Sequence, residues 1–122
     1  VRIAGGLLGH WACWTKAAVE LLQRCKQARI QETISRELLT LAAQVTDCNA
    51  ALFDAANGYA GCIAGIQHVL HRQGLLRNTR CLNRKERLSP GQEEEIERVR
   101  AVYPHLIDDS FVAEGLTRWQ AD

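Results

Sequence analysis

His68 and His71 stand three residues apart, a spacing that on a helix turns two imidazoles toward one metal ion. Cys81 is the only further candidate ligand nearby in the sequence. A sound metal site needs three or four convergent ligands and groups that orient them, so ordinary surface histidines are the better reading. Lysine chemistry is the next possibility, and the lysines are Lys16, Lys26 and Lys85. An amine attacks a carbonyl when burial lowers its pKa and rigid neighbours hold it in place. Lys16 and Lys26 fall on the polar side of a predicted helix and Lys85 in a basic loop, so none suits that task. Asp108-Asp109 and Glu93-Glu94-Glu95 offer paired carboxylates, yet each run lies at a helix start, where the helix dipole favours acids without any catalysis.

Cys13, Cys25, Cys48, Cys62 and Cys81 show no CxxC pair, and Cys25, Cys48 and Cys62 sit on apolar helical stripes as small fillers. Reduced thiols and a cytoplasmic location are the expectation. Arg72, Arg77, Arg80, Arg84, Lys85 and Arg87 form a basic stretch without interleaved aromatic residues, which predicts a solvated loop or ion pairs with the acidic helix after it rather than nucleic-acid binding. The formal charge of +1 and pI near 7.8 give no general attraction to nucleic acid or anionic lipid. No segment approaches the ~20 apolar residues that span a bilayer, so neither nucleic acid nor membrane is an expected partner.

The elements that must position these residues follow from periodicity. Residues 1–9 are an apolar run punctuated by Gly5, Gly6 and Gly9, which predicts a short strand ending in a loop of close backbone approach. Trp14, Ala17, Ala18, Leu21, Leu22 and Cys25 recur at helical spacing and predict an amphipathic helix over residues 11–28. Ser35 is placed to cap a second helix carrying Leu38, Leu39, Ala42, Val45, Leu52 and Phe53, with Asn57-Gly58 as its break. A third helix over residues 59–73 carries Ile63, Ile66, Val69 and Leu70, and Gly74 stands where a left-handed C-cap is needed. Residues 78–88 are polar, basic and irregular. Ser89-Pro90-Gly91-Gln92 then has the features of a capping box with proline at the first helical position. The fourth helix points Ile96, Val99 and Tyr103 inward and stops at Pro104, and Asp108 and Asp109 start a last short helix. The fold class is mainly α, one short strand and four or five helices in a single unit of 122 residues.

This order of elements resembles the C-terminal end of enzymes of the dihydrodipicolinate synthase and N-acetylneuraminate lyase family, a (β/α)8 barrel with extra C-terminal helices. Gly5-Gly6-Leu7-Leu8-Gly9-His10-Trp11 resembles the small-residue loop after the eighth strand, and the residues from Trp14 to Cys25 resemble the eighth barrel helix. Asn57-Gly58-Tyr59 is similar to the family's Asn-Pro entry to a helix, Gly74-Leu75 to its exit, and Leu88-Ser89 to the leucine-serine before the last long helix. Gly58 stands where proline is usual and Cys62 where the family often has lysine. The resemblance makes residues 1–30 the last strand and helix of the barrel and residues 31–122 the helical extension.

The resemblance implies a Schiff-base lyase or aldolase acting on pyruvate or another 2-oxo acid, with no cofactor and with association into homo-oligomers. Its lysine and tyrosine would lie upstream of Val1. No catalytic residue and no metal ligand carries over onto this chain, which is expected to be inactive alone. Gly6, Leu8, Gly9 and His10 would lie next to substrate, because barrel active sites form at the C-terminal ends of the strands. If barrel-covering faces are left bare, Leu21, Leu38, Leu52, Ile66 and Val99 are the residues expected to drive association. The alternative is an autonomous α-helical domain whose function is protein interaction or oligomerisation.

Overall fold

The computed structural model describes residues 3–121. Its six α-helices are α1 (His10–Cys13), α2 (Thr15–Ala28), α3 (Arg36–Phe53), α4 (Cys62–Arg72), α5 (Gln92–Val102) and α6 (Asp109–Trp119). Two 3-10 turns, Ala55–Asn57 and Pro104–Leu106, lie between them. The mainly α class is therefore observed, whereas the strand is not: among the described residues none is in a β-ladder. Val1 and Arg2 lie outside the described residues, and residues 3–8 form no regular element. A strand is made by pairing, and residues 3–8 find no partner strand among the described residues.

The helix expected over residues 11–28 is broken at Trp14, whose φ of −112° and ψ of 56° leave the helical region. Its indole is fully buried. Helical periodicity alone cannot see this break, because Trp14 keeps its place on the apolar stripe while its backbone bends to drive the ring into the core. Cys13, Trp14 and Ala17 there meet Leu41, Cys48 and Leu52 of α3, Val69 of α4, and Ile96 and Val99 of α5. At 1.5 Å per residue the 18 residues of α3 span about 27 Å, and α1, α4 and α5 all pack on it. Ser35 occupies the cap position of α3 in an extended conformation, yet its side chain makes no capping hydrogen bond.

α3 ends where Asp54 turns left-handed, at φ 60°. Gly58 and Tyr59, at φ 62° and 69°, complete the reversal into α4. Two glycines then set how closely α4 approaches. A Cβ on Gly65 would come within 2.2 Å of the Leu52 carbonyl oxygen, and one on Gly61 within 1.9 Å of Gln92 Oε1. At the far end of α4, Gly74 adopts φ 80°, and the Leu75 and Leu76 amides both return to the Leu70 carbonyl.

The start of α5 differs from the expected capping box in one half. Gln92 reaches back to accept from the Ser89 amide at 3.1 Å, but the Ser89 hydroxyl donates to Asp54 Oδ2 at 2.5 Å instead of serving the helix. The helix proper begins at Gln92, behind a left-handed Gly91. A buried carboxylate accepts a stronger hydrogen bond than a backbone amide offers, and Asp54 competes successfully for that hydroxyl.

Candidate functional site

The four residues expected beside substrate lie in the segment that leads into α1. Gly9 adopts φ 66°, and a Cβ there would stand 2.6 Å from Asn49 Oδ1 of α3. A Cβ on Gly6 would stand 2.4 Å from the Trp11 indole. Both glycines thus make room for neighbouring side chains. His10 is 4% exposed, its Nδ1 lies 3.4 Å from Asn49 Oδ1, and the Trp14 ring meets it edge-on at 5.0 Å. Its Nε2 is buried with no hydrogen-bond partner. Burial holds the His10 pKa below the ordinary histidine value, against the opposing pull of Asn49, the Leu106 backbone and the Asp108 charge. The imidazole is therefore neutral near pH 7.

Leu8 and His10 share a cleft of about 200 Å³ with Gly5, Trp11 and Asn49. Gly6 and Gly9 are the positions that admit Trp11 and Asn49, two of its walls. Asn49 was not singled out in the sequence, since nothing local marks one polar residue on a long helix as the partner of a histidine 39 positions away. Cys13 follows on the same short helix, and burial, reinforced by Asp108, pushes its thiol up to about 12. It is not a nucleophile at neutral pH.

Beyond this cleft the second half of α2 and the first half of α3 line an open apolar groove of about 540 Å³. Leu21, Cys25, Leu38, Leu39, Ala42 and Val45 line it, and among the described residues Arg29 is its one charged wall residue. Leu21, Cys25 and Val45 also border the His10 cleft, so the two depressions form one continuous surface. Of the residues expected to drive association, Leu21 and Leu38 lie here, partly buried. Leu52 and Val99 do not, being fully buried in the core, and Ile66 packs against it. Periodicity marks an apolar residue but not which neighbour covers it.

The carboxylates serve packing and capping. Asp108 is buried, accepts from the Lys16 backbone amide at 2.9 Å and from Gln73 Nε2 at 3.1 Å, and so caps the first turn of α2 from the far end of the chain. Burial raises its pKa, although those hydrogen bonds oppose the shift. Asp109 pairs with Arg100. Arg98 makes a two-pronged bond to Asp47, at 2.9 and 2.8 Å, and this partnership holds the Asp47 carboxyl below the usual range.

None of the lysines gains the character of a Schiff-base amine. Lys16 is exposed and bonds Glu20, which raises its pKa where the chemistry needs it lowered. Lys26 and Lys85 are exposed. His71 meets the Leu76 carbonyl at 2.9 Å, and His68 lies 4.0 Å from Glu97. Among the described residues no three His, Cys, Asp or Glu side chains converge as metal ligands, and no helix is long and apolar enough to cross a membrane. No family model, curated protein or solved structure matches this chain.

Proposed function

We propose that this chain is the C-terminal part of a Schiff-base-forming lyase or aldolase of the dihydrodipicolinate synthase and N-acetylneuraminate lyase type, acting on pyruvate or another 2-oxo acid. Residues 1–9 are then the end of the last barrel strand and its loop, α2 the last barrel helix, and α3 to α6 the extension. One observation carries the reading. In the glycine-rich entry segment Ile3, Leu7 and Leu8 are 80%, 90% and 65% exposed, beside a cleft that continues into the apolar groove of α2 and α3. Apolar residues in an unpaired segment next to an uncovered apolar face are what a barrel strand and helix present when their neighbours are elsewhere in the polypeptide. The occupant of the groove is, on this reading, the upstream part of the same protein, which also supplies the lysine.

The test is the coding sequence upstream of Val1. An in-frame extension with a barrel, incubated with pyruvate and borohydride, should become labelled on a lysine outside residues 1–122. The present chain alone should keep its mass unchanged. Labelling of Lys16, or a stop codon directly upstream of Val1, would overturn the proposal.

A second reading, an autonomous helical interaction domain, is favoured by the closed core around Trp14, Leu52 and Ile96, each fully buried without any contribution from outside. Cooperative unfolding of a strictly monomeric chain supports that alternative.

A further inference from the structure

On the face of α4 that carries Ala64 and His68, the 79–88 segment borders an open cleft of about 700 Å³, which among the described residues shares none with the apolar groove or the His10 cleft. We propose that it binds a small anion bearing phosphate groups. The argument is independent of the lyase reading.

Among the described residues Arg80, Arg84 and Arg87 line the cleft against one carboxylate, Glu86. Among the described residues none of these three arginines pairs with an acid. The nearby Glu97 is occupied by Arg72 at 3.0 Å and Arg100 at 2.9 Å. Like charges around one cavity repel, and an anion between them reverses that energy. The basic stretch is expected from the sequence to be a solvated loop or to pair with the acidic helix; among the described residues Arg72 pairs with it, and Arg80, Arg84 and Arg87 are exposed without an acidic partner.

His68 also lines the cleft, with its Nε2 sealed from solvent 4.0 Å from Glu97. The Thr79 hydroxyl offers a donor in the same lining. The arginines are held on a shaped segment: Asn78 Oδ1 accepts from the Arg80 amide, Asn83 Oδ1 from the Lys85 amide, and Cys81 is buried between Arg80 and Arg84.

Guanidinium forks match the paired oxygens of phosphate, and several of them suit a dianion or pyrophosphate better than a monocarboxylate. The volume is that of a metabolite site. None of the described residues that line it is a Phe, Tyr or Trp, so they offer no platform on which nucleic-acid bases would stack.

Titration calorimetry of the chain with inorganic pyrophosphate, at ionic strength fixed with chloride, should show saturable binding at one site. The Arg84→Gln/Arg87→Gln variant should bind at least tenfold more weakly, with an unchanged helical circular dichroism spectrum. Arg36→Gln, an exposed arginine on α3, should leave binding unaltered. The proposal is overturned by non-saturable heats, by undiminished binding in the double variant, by equal weakening in Arg36→Gln, by citrate binding where pyrophosphate does not, or by a single-stranded oligonucleotide that outcompetes pyrophosphate with affinity growing with its length. If the double variant fails to fold, methylglyoxal modification of the native chain replaces it: pyrophosphate should protect Arg84 and Arg87, and their unprotected modification would overturn the site.

Discussion

The junction of α3, α4 and α5 and the open face of α2 and α3 are built on opposite principles. At the junction, Asp54 accepts from Gly61, Asn57 and Ser89, while Gln92 binds the Gly61 and Leu52 carbonyls and the Ser89 amide. Polar groups removed from water are costly unless paired, and here each answers another within the chain. On the open face Ile34 and Leu39 are each 67% exposed, and the surface between the helices is apolar and uncovered by any of the described residues. The first region specifies one geometry and is complete; the second leaves unburied the apolar area that would stabilise it. A chain that locks one end of its long central helix so thoroughly and leaves the other bare has a fold whose stability and association reside in different places.

Breaking the junction is expected to have the largest effect. Gln92→Ala removes the side chain that ties α5 to the ends of α3 and α4, leaving the Leu52 carbonyl and the Ser89 amide without their partner, while the Gly61 carbonyl keeps only the Gly65 amide. Each unsatisfied buried group costs about 1–3 kcal/mol; partial relaxation and water entry make a total of about 3 kcal/mol the expectation. Urea unfolding with an unchanged slope and a lower midpoint would show it. A midpoint shift no larger than that of a surface substitution would mean that the junction is not where the stability lies.

A smaller and pH-dependent effect is expected at Asp54. Burial opposes its charge, but the hydrogen bonds from Asn57, Ser89 and Gly61 outweigh that and hold its pKa below the ordinary carboxylate value. A carboxyl lowered in the fold contributes stability above the unfolded value of about 4, and that contribution is lost as pH falls through the folded value. Asp54→Asn keeps a residue that tolerates the left-handed backbone but places an amide donor among donors. It should cost about 1–2 kcal/mol at pH 7. The gap from the parent chain should close as the pH is lowered below about 4, a trend that thermal melts at several pH values would follow; a gap that stays constant or widens in acid would remove the carboxylate from this role.

The junction also shows where the sequence was legible. Ser89-Pro90-Gly91-Gln92 announces a helix start, and α5 begins there, because the signal is local and the Gln92 half of the box is made within four residues. The hydroxyl half went to Asp54, 35 positions away, a competition that no local rule contains. Gly61 and Gly65 carry only a helix penalty in the sequence, and their use appears once α3 and Gln92 press against them. Gly74 was readable because a left-handed cap follows from its own position. At the candidate site, the glycine-rich run and His10 were visible as unusual. Asn49, which answers the histidine, was not, since a pairing across two helices is fixed by tertiary approach rather than by spacing.

The smallest stability effect, and the sharpest test of the contrast, belongs to the open face. Ile34→Gln/Leu39→Gln alters two residues that are already largely in water, so the unfolding midpoint should stay within about 0.5 kcal/mol of the parent for each change. Association should respond differently. Leu52 and Val99 are sealed in the core, and the groove rim is the contiguous exposed apolar surface expected to carry attraction between copies of the chain. Sedimentation velocity should therefore show the parent chain forming larger species as its concentration rises and the double variant remaining monomeric over the same range. Equal association of both would place the sticky surface elsewhere, with the exposed entry residues Ile3, Leu7 and Leu8 next in line. A parent chain that is monomeric throughout would mean that the exposed groove does not act as an interface in the isolated chain, and the distinction between a complete and an incomplete half of this fold would no longer hold.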